Sequence, residues 1–135
     1  MQISLRAGER IYINGAVVRV DRKVVIELLN DVAFLLEAHV LQSEQTTTPL
    51  RQLYFVLQAI LVDPVNAAEA LALFRRVHAS TLQSFDNEAV VNGLKAAAAL
   101  VDRNRIFEAL RMIRTLFDIE EEILARGDDE SPKAA

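Results

Sequence analysis

The chain has 135 residues, of which 52% are hydrophobic and 25% charged, and its net charge is −4. That length fits one domain with a real core. Cysteine is absent, which excludes disulfides and thiolate metal sites and fits a reducing cytoplasm, and the acidity disfavours bulk nucleic-acid binding unless a basic face is local.

The first part of the chain, 1–42, reads as strands. Ile3 to Leu5 is a short one, and Gly8-Glu9 turns into a hairpin of residues 10–14 and 16–20. Asn14-Gly15 sets its register, because a type I′ turn needs positive φ at both central residues. A two-residue loop pairs Ile13 with Ala16, Tyr12 with Val17, Ile11 with Val18 and Arg10 with Arg19. Side chains alternate along a strand. Ile11, Ile13, Ala16, Val18 and Val20 therefore share an apolar face, and Arg10, Tyr12, Val17 and Arg19 the other. Like charges directly opposite repel. A solvated outer face, with Glu9 or Asp21 compensating, is the plain explanation of the arginines; a small basic and aromatic platform for an anionic partner is the sharper one. Residues 24–29 and 32–37 are further β-branched or apolar strands between turn signals.

The hydrophobic period then changes. A polar linker, 43–49, leads to Thr48-Pro49, a capping hydroxyl followed by proline at the first helical position. Leu50, Leu53, Tyr54, Leu57 and Leu61 follow at helical spacing, and Phe55, Val56 and Ile60 fill much of the remaining surface. Asp63-Pro64 starts a second helix through about Leu82. Asp86 is the expected cap of a third, which "DRN" at 102–104 breaks. A fourth is expected from Arg105 to Ala125, with Ile106, Leu110, Ile113, Phe117 and Leu124 inward and Gly127 as its stop. Strands first and helices second predict an α+β fold: a small N-terminal antiparallel sheet, then about four helices over 48–125, then a flexible acidic tail, 127–135. Arg6 and Arg10 interrupt any early apolar run, so no signal peptide is expected. The longest apolar segment, around Leu53 to Val62, contains Gln58 and is helix-sized, so no membrane association is expected.

Charge is uneven. Residues 1–23 hold Arg6, Arg10, Arg19, Arg22 and Lys23 against Glu9 and Asp21, whereas the last third ends in acid. Catalytic signals are poor. His39 and His78 are far apart and suit partly buried structural roles. Glu120, Glu121 and Glu122 are consecutive, fan over different helix faces and form no acid–base pair. No enzyme activity, metal or cofactor is expected. Arg111 and Arg114 share a helix face, with Asp118 in place to pair with Arg114. Arg51, Arg111 and Arg114 form the candidate secondary basic surface.

"LRAGERIYINGAVV" (5–18) and "TTPLRQLYFVLQAILVDP" (47–64) resemble the signature segments of the FlbT family of flagellin regulators, over residues 2 to about 124. The sequence departs from the family at Gln52, where a second basic residue is common after Arg51. The resemblance implies a post-transcriptional regulator. Such proteins associate with the 5′ untranslated leader of flagellin messenger RNA, limit its translation and favour its decay, and in some systems act positively. It also implies a FlaF-type regulator and flagellin as partners. Residues 3–20 are in addition similar to the opening of the carbon storage regulator proteins, β-rich dimers that bind messenger leaders, although only His39 stands near their last basic position.

Arg6, Arg10, Tyr12, Arg19 and Lys23 are accordingly the candidate RNA-binding residues. Arginine grips phosphate through a fork and stacks on bases. A homodimer through the β part would double the patch. The rival reading is a chaperone-like interaction module that binds flagellin or a flagellar regulator in an apolar groove of the helical half. Salt discriminates the two, since phosphate binding weakens steeply as salt rises.

Overall fold

The structure, a computed structural model, describes residues 1–127; the expected acidic tail lies almost wholly outside them. Strands β1 (Gln2–Leu5), β2 (Arg10–Ile13), β3 (Ala16–Arg19), β4 (Val24–Glu27) and β5 (Phe34–Leu36) come first. Helices α1 (Pro49–Val62), α2 (Ala67–Gln83), α3 (Glu88–Asp102), α4 (Ile106–Arg114) and α5 (Phe117–Ala125) follow, so the fold is α+β.

The hairpin has the register that Asn14-Gly15 dictates: Arg10 opposes Arg19, Ile11 Val18, Tyr12 Val17 and Ile13 Ala16. Asn14 and Gly15 have φ of 47° and 85°, as a type I′ turn requires. The strands divide into two sheets rather than one. β1 pairs with β4, while β3, β2 and β5 form a separate sheet in that order.

That division follows from apolar residues on both faces of β2 and β5. Ile11 and Phe34 turn one way and join Ile3 and Leu5 of β1 in a buried cluster. Tyr12 and Leu35 turn the other way, into the core built by the helices. The three-stranded sheet is thus filled in between the β1–β4 ribbon and the helical half. The inward face expected for β3 is not realised. Ala16, Val17, Val18 and Arg19 are all exposed, because β3 is the sheet's edge and extends past the cover on either side.

α1 starts as its sequence dictates: Thr48 Oγ1 accepts from the Arg51 amide at 3.2 Å, and Pro49 opens the helix. Leu50, Leu53, Tyr54 and Leu57 are buried, while Phe55 faces outward. The chain bends by 110° after Val62, with one 3₁₀ turn (Pro64–Asn66) before α2. Gly15 at the hairpin tip sits against that corner; a Cβ there would lie 2.5 Å from Pro64 Cγ. Among the described residues no single helix is long and apolar enough to cross a membrane.

Two helix expectations are corrected. Asn87, not Asp86, caps α3, its side chain accepting from the Val90 amide at 3.1 Å. The long fourth helix is two. Thr115 Oγ1 donates to the Met112 carbonyl at 2.6 Å, and the Leu116 amide reaches only back to Ile113. Such side-chain competition for a helical carbonyl tightens and bends the chain. Buried Leu116 then wedges against Gly93 of α3, where a Cβ would lie 2.7 Å from its Cδ1. The bend re-aims α5, so Leu124 is exposed rather than inward.

Candidate nucleic-acid interface

Arg6, Arg10, Arg19 and Lys23 are all exposed on the hairpin and its flanking turns. Among the described residues none of their side chains has an ion-pair partner. The carboxylates expected to compensate them are otherwise engaged. Glu9 Oε1 accepts from the Arg6 amide at 2.6 Å, and Asp21 pairs with Arg22 at 3.3 Å. Glu37 Oε2 accepts from the Arg10 amide at 3.2 Å. Backbone amides thus hold Glu9 and Glu37, and Arg22 holds Asp21, while the side chains of Arg6, Arg10, Arg19 and Lys23 have no ion-pair partner among the described residues. Arg10 and Arg19 form a non-hydrogen-bonded pair of the ladder, the pair type with the closer Cα atoms, so two like charges start from neighbouring backbone positions.

Tyr12 differs from the expectation. It is half-buried against the helical core and offers only part of its ring to solvent. Its position on the same strand face as Arg10, two residues away, and diagonal to Arg19 made it look like a stacking platform; the covering helices decide otherwise.

The secondary basic surface splits up. Arg51 pairs with Glu121 at 2.9 Å, lies 4.0 Å from Glu120 and stacks 4.6 Å over the Phe117 ring. Arg114 does not pair with Asp118. Its Nη1 donates to Tyr54 Oη at 2.8 Å, and Tyr54 Oη donates to the His39 carbonyl at 2.5 Å. Both side chains thus tie the helices together. Arg111 alone of the three is exposed. Burial, and secondarily the Arg114 charge, lowers the pKa of His39, while the His78 ring bonds the Leu94 carbonyl at 2.8 Å; both histidines are half-buried.

Glu120 is the residue that sequence reasoning missed. It looked like one member of a solvated acidic helix end, yet it is fully buried. Its Oε2 accepts from the Leu50 amide at 2.8 Å, so a carboxylate of α5 caps the N-terminus of α1. Its Oε1 has no hydrogen-bond partner. Burial pushes its pKa above the usual carboxylate value, against hydrogen bonds from Thr48 and Leu50 and the Arg51 charge. The helical spacing of Glu120 from Leu116, four residues earlier and also buried, was an available signal.

Two clefts adjoin along the stacked Phe34–Phe107 pair, whose centroids are 4.8 Å apart. One of about 620 Å³ lies between the 28–34 loop and the start of α4; the other, about 290 Å³, is lined by Ile3, Phe34, Leu36, His39 and Phe107. Among the described residues no group of three or more His, Cys, Asp or Glu side chains converges to hold a metal ion.

A family model described as flagellar protein FlbT matches residues 1–124. The chain belongs to the FlbT family. It is 56% identical over 124 residues to the probable flagellum biosynthesis repressor protein FlbT of Rhizobium johnstonii, covering 92% of this chain and 83% of that one. It is 49% identical over 129 residues to the protein of the same name from Mesorhizobium japonicum, covering 96% and 88%. It is 52% identical over 125 residues to FlbT 2 of Bradyrhizobium diazoefficiens, covering 93% and 92%. No solved structure matches. The FlbT relatives are thus named as regulators of flagellum biosynthesis, and this FlbT family member shares nearly their whole length.

Proposed function

We propose that this protein represses flagellum biosynthesis after transcription, by direct contact of its β-hairpin with the 5′ untranslated leader of flagellin messenger RNA. Translation falls and the message decays. The carrying observation is the set of exposed cations Arg6, Arg10, Arg19 and Lys23, whose side chains have no ion-pair partner among the described residues, two of them held directly opposite each other. An arrangement that destabilises the free sheet finds its use when an anion lies across it. Arg51 and Arg114 are outside the interface, since both are spent within the fold. The protein acts in the cytoplasm, where the message is.

The test is leader binding over a salt series. Each phosphate contact to a single strand contributes about −0.7 to the slope of log K against log salt, so four cations give about −2.8. Arg10→Ala with Arg19→Ala halves that slope and leaves the fold intact. A slope unchanged in the double variant refutes the interface. The adjoining clefts at Phe34 and Phe107 favour one second reading, capture of an apolar segment of flagellin or a FlaF-type regulator, with the RNA effect secondhand. Salt-tolerant binding of that partner, with none of RNA, would select it.

A further inference from the structure

We infer that β3 is the seam of a homodimer, in which residues 16–20 pair antiparallel with the same segment of a second copy, centred on Val18. The two three-stranded sheets then become one continuous sheet.

β3 is an open edge whose four residues are all exposed, Val17 at 57% and Val18 at 40%. Natural edges are blunted by very short strands, charged side chains, proline, bulges or a covering element, and β3 has four residues with its single charge, Arg19, at one end. Here the centre of the edge is two valines, one on each face. The Val20 amide bonds the Glu9 carbonyl, so Ala16, Val18 and Val20 spend their main-chain groups on β2. The N–H and C=O of Val17 and Arg19 therefore point to the open side.

The edge is also preformed. Pro64 seats the hairpin tip at Gly15, and the Gly8 amide closes the base on the Val20 carbonyl at 2.7 Å. Little backbone entropy remains to be lost on pairing.

Self-pairing has one good register. Centred on Val18, it covers the whole segment and sets Val17 of each copy against Arg19 of the other, with reciprocal main-chain hydrogen bonds. Each arginine stem then covers the more exposed valine. Centring on Val17 would set Arg19 against Gly15, where Pro64 already fills the space. Centring on Arg19 would bring like charges face to face. In the Val18 register the two Arg19 residues are diagonal, about 8 Å apart from strand spacing and rise. No carboxylate stands on β3 to call for a basic partner strand, and its β-branched centre suits an identical strand.

The two-fold axis stands perpendicular to the sheet, so Arg10 and Arg19 of both copies fall in a row on one face. A short strand pair buries far less than the roughly 1,200 Å² of a stable interface. The dimer is therefore weak and concentration-dependent, and a polyanion along the arginine row tightens it. This last consequence rests on the RNA reading; the pairing itself does not.

Sedimentation equilibrium of the full chain without RNA, from about 5 to about 500 µM, tests the seam. The wild type self-associates, and Val18→Lys and Val17→Pro each weaken the dimer tenfold or more without shifting the urea midpoint. A monomer at every concentration, or a dimer that survives both substitutions, overturns the inference. If Val17→Pro perturbs the fold, the half-exposed Val18→Lys decides alone. Adding leader RNA then tightens the wild-type dimer; a dimer that forms but ignores RNA counts against the RNA interface and leaves the seam standing.

Discussion

Replacing Glu120 probes how α5 is fastened to the rest of the fold. Glu120→Ala removes the acceptor of the Leu50 amide and orphans a buried N–H, which costs about 1–3 kcal/mol. It also withdraws the γ-methylene from a fully buried site, about 0.8 kcal/mol. The expected loss is about 3 kcal/mol, read from urea denaturation. Glu120→Gln keeps an acceptor for Leu50 and removes the ionisable group, so it separates capping from charge. Because burial raises the folded pKa of Glu120 above its ordinary value, its protonated form is favoured by folding. The resulting stabilisation is fully present below the unfolded pKa and is lost as pH rises through the folded one. The stability of wild type minus that of Glu120→Gln should therefore fall as pH rises from below the ordinary carboxylate range through the raised folded pKa. A difference that is flat or rises with pH, or a Glu120→Ala variant as stable as wild type, refutes the reasoning.

Three further outcomes are expected. Gly15→Ala should cost about 2 kcal/mol, because it strains a residue at φ 85° and drives a Cβ into Pro64. Adding Pro64→Ala should recover the steric share but not the backbone share, a double-mutant cycle read by denaturation. Tyr54→Phe should destabilise by about 1–3 kcal/mol, since it strands the His39 carbonyl and the half-buried Arg114 guanidinium together. Gly93→Ala should lose about 1 kcal/mol in thermal or urea melts, with overpacking against Leu116 exceeding the gain in helix propensity.

The local devices of this fold were legible from residue order. Asn14-Gly15 specified the hairpin down to its pairs, and Thr48-Pro49 specified where α1 begins, because turns and caps are settled by a few adjacent backbone and side-chain groups. The exposed basic hairpin was legible in part: that Arg10 faces Arg19 follows from register alone. Which residues remain free to bind was not. Arg51 and Arg114 looked as available as Arg10, and Tyr12 looked more available than it is.

Those distinctions depend on contacts between distant segments. Arg114 meets Tyr54 across 60 positions, and Glu120 meets Leu50 across 70. The division of the strands into two sheets has the same origin. An alternating pattern states that a strand has two faces, and only packing states what covers each. The sequence by itself determined the strands, the first three helices, the hairpin register and the family, but not the break between α4 and α5. The tertiary structure decided that β3 is an open edge, that Glu120 is a buried cap, and that Arg51 and Arg114 are engaged within the fold while Arg10 and Arg19 are not. Local geometry is encoded by neighbours, whereas burial is a property of the assembled whole.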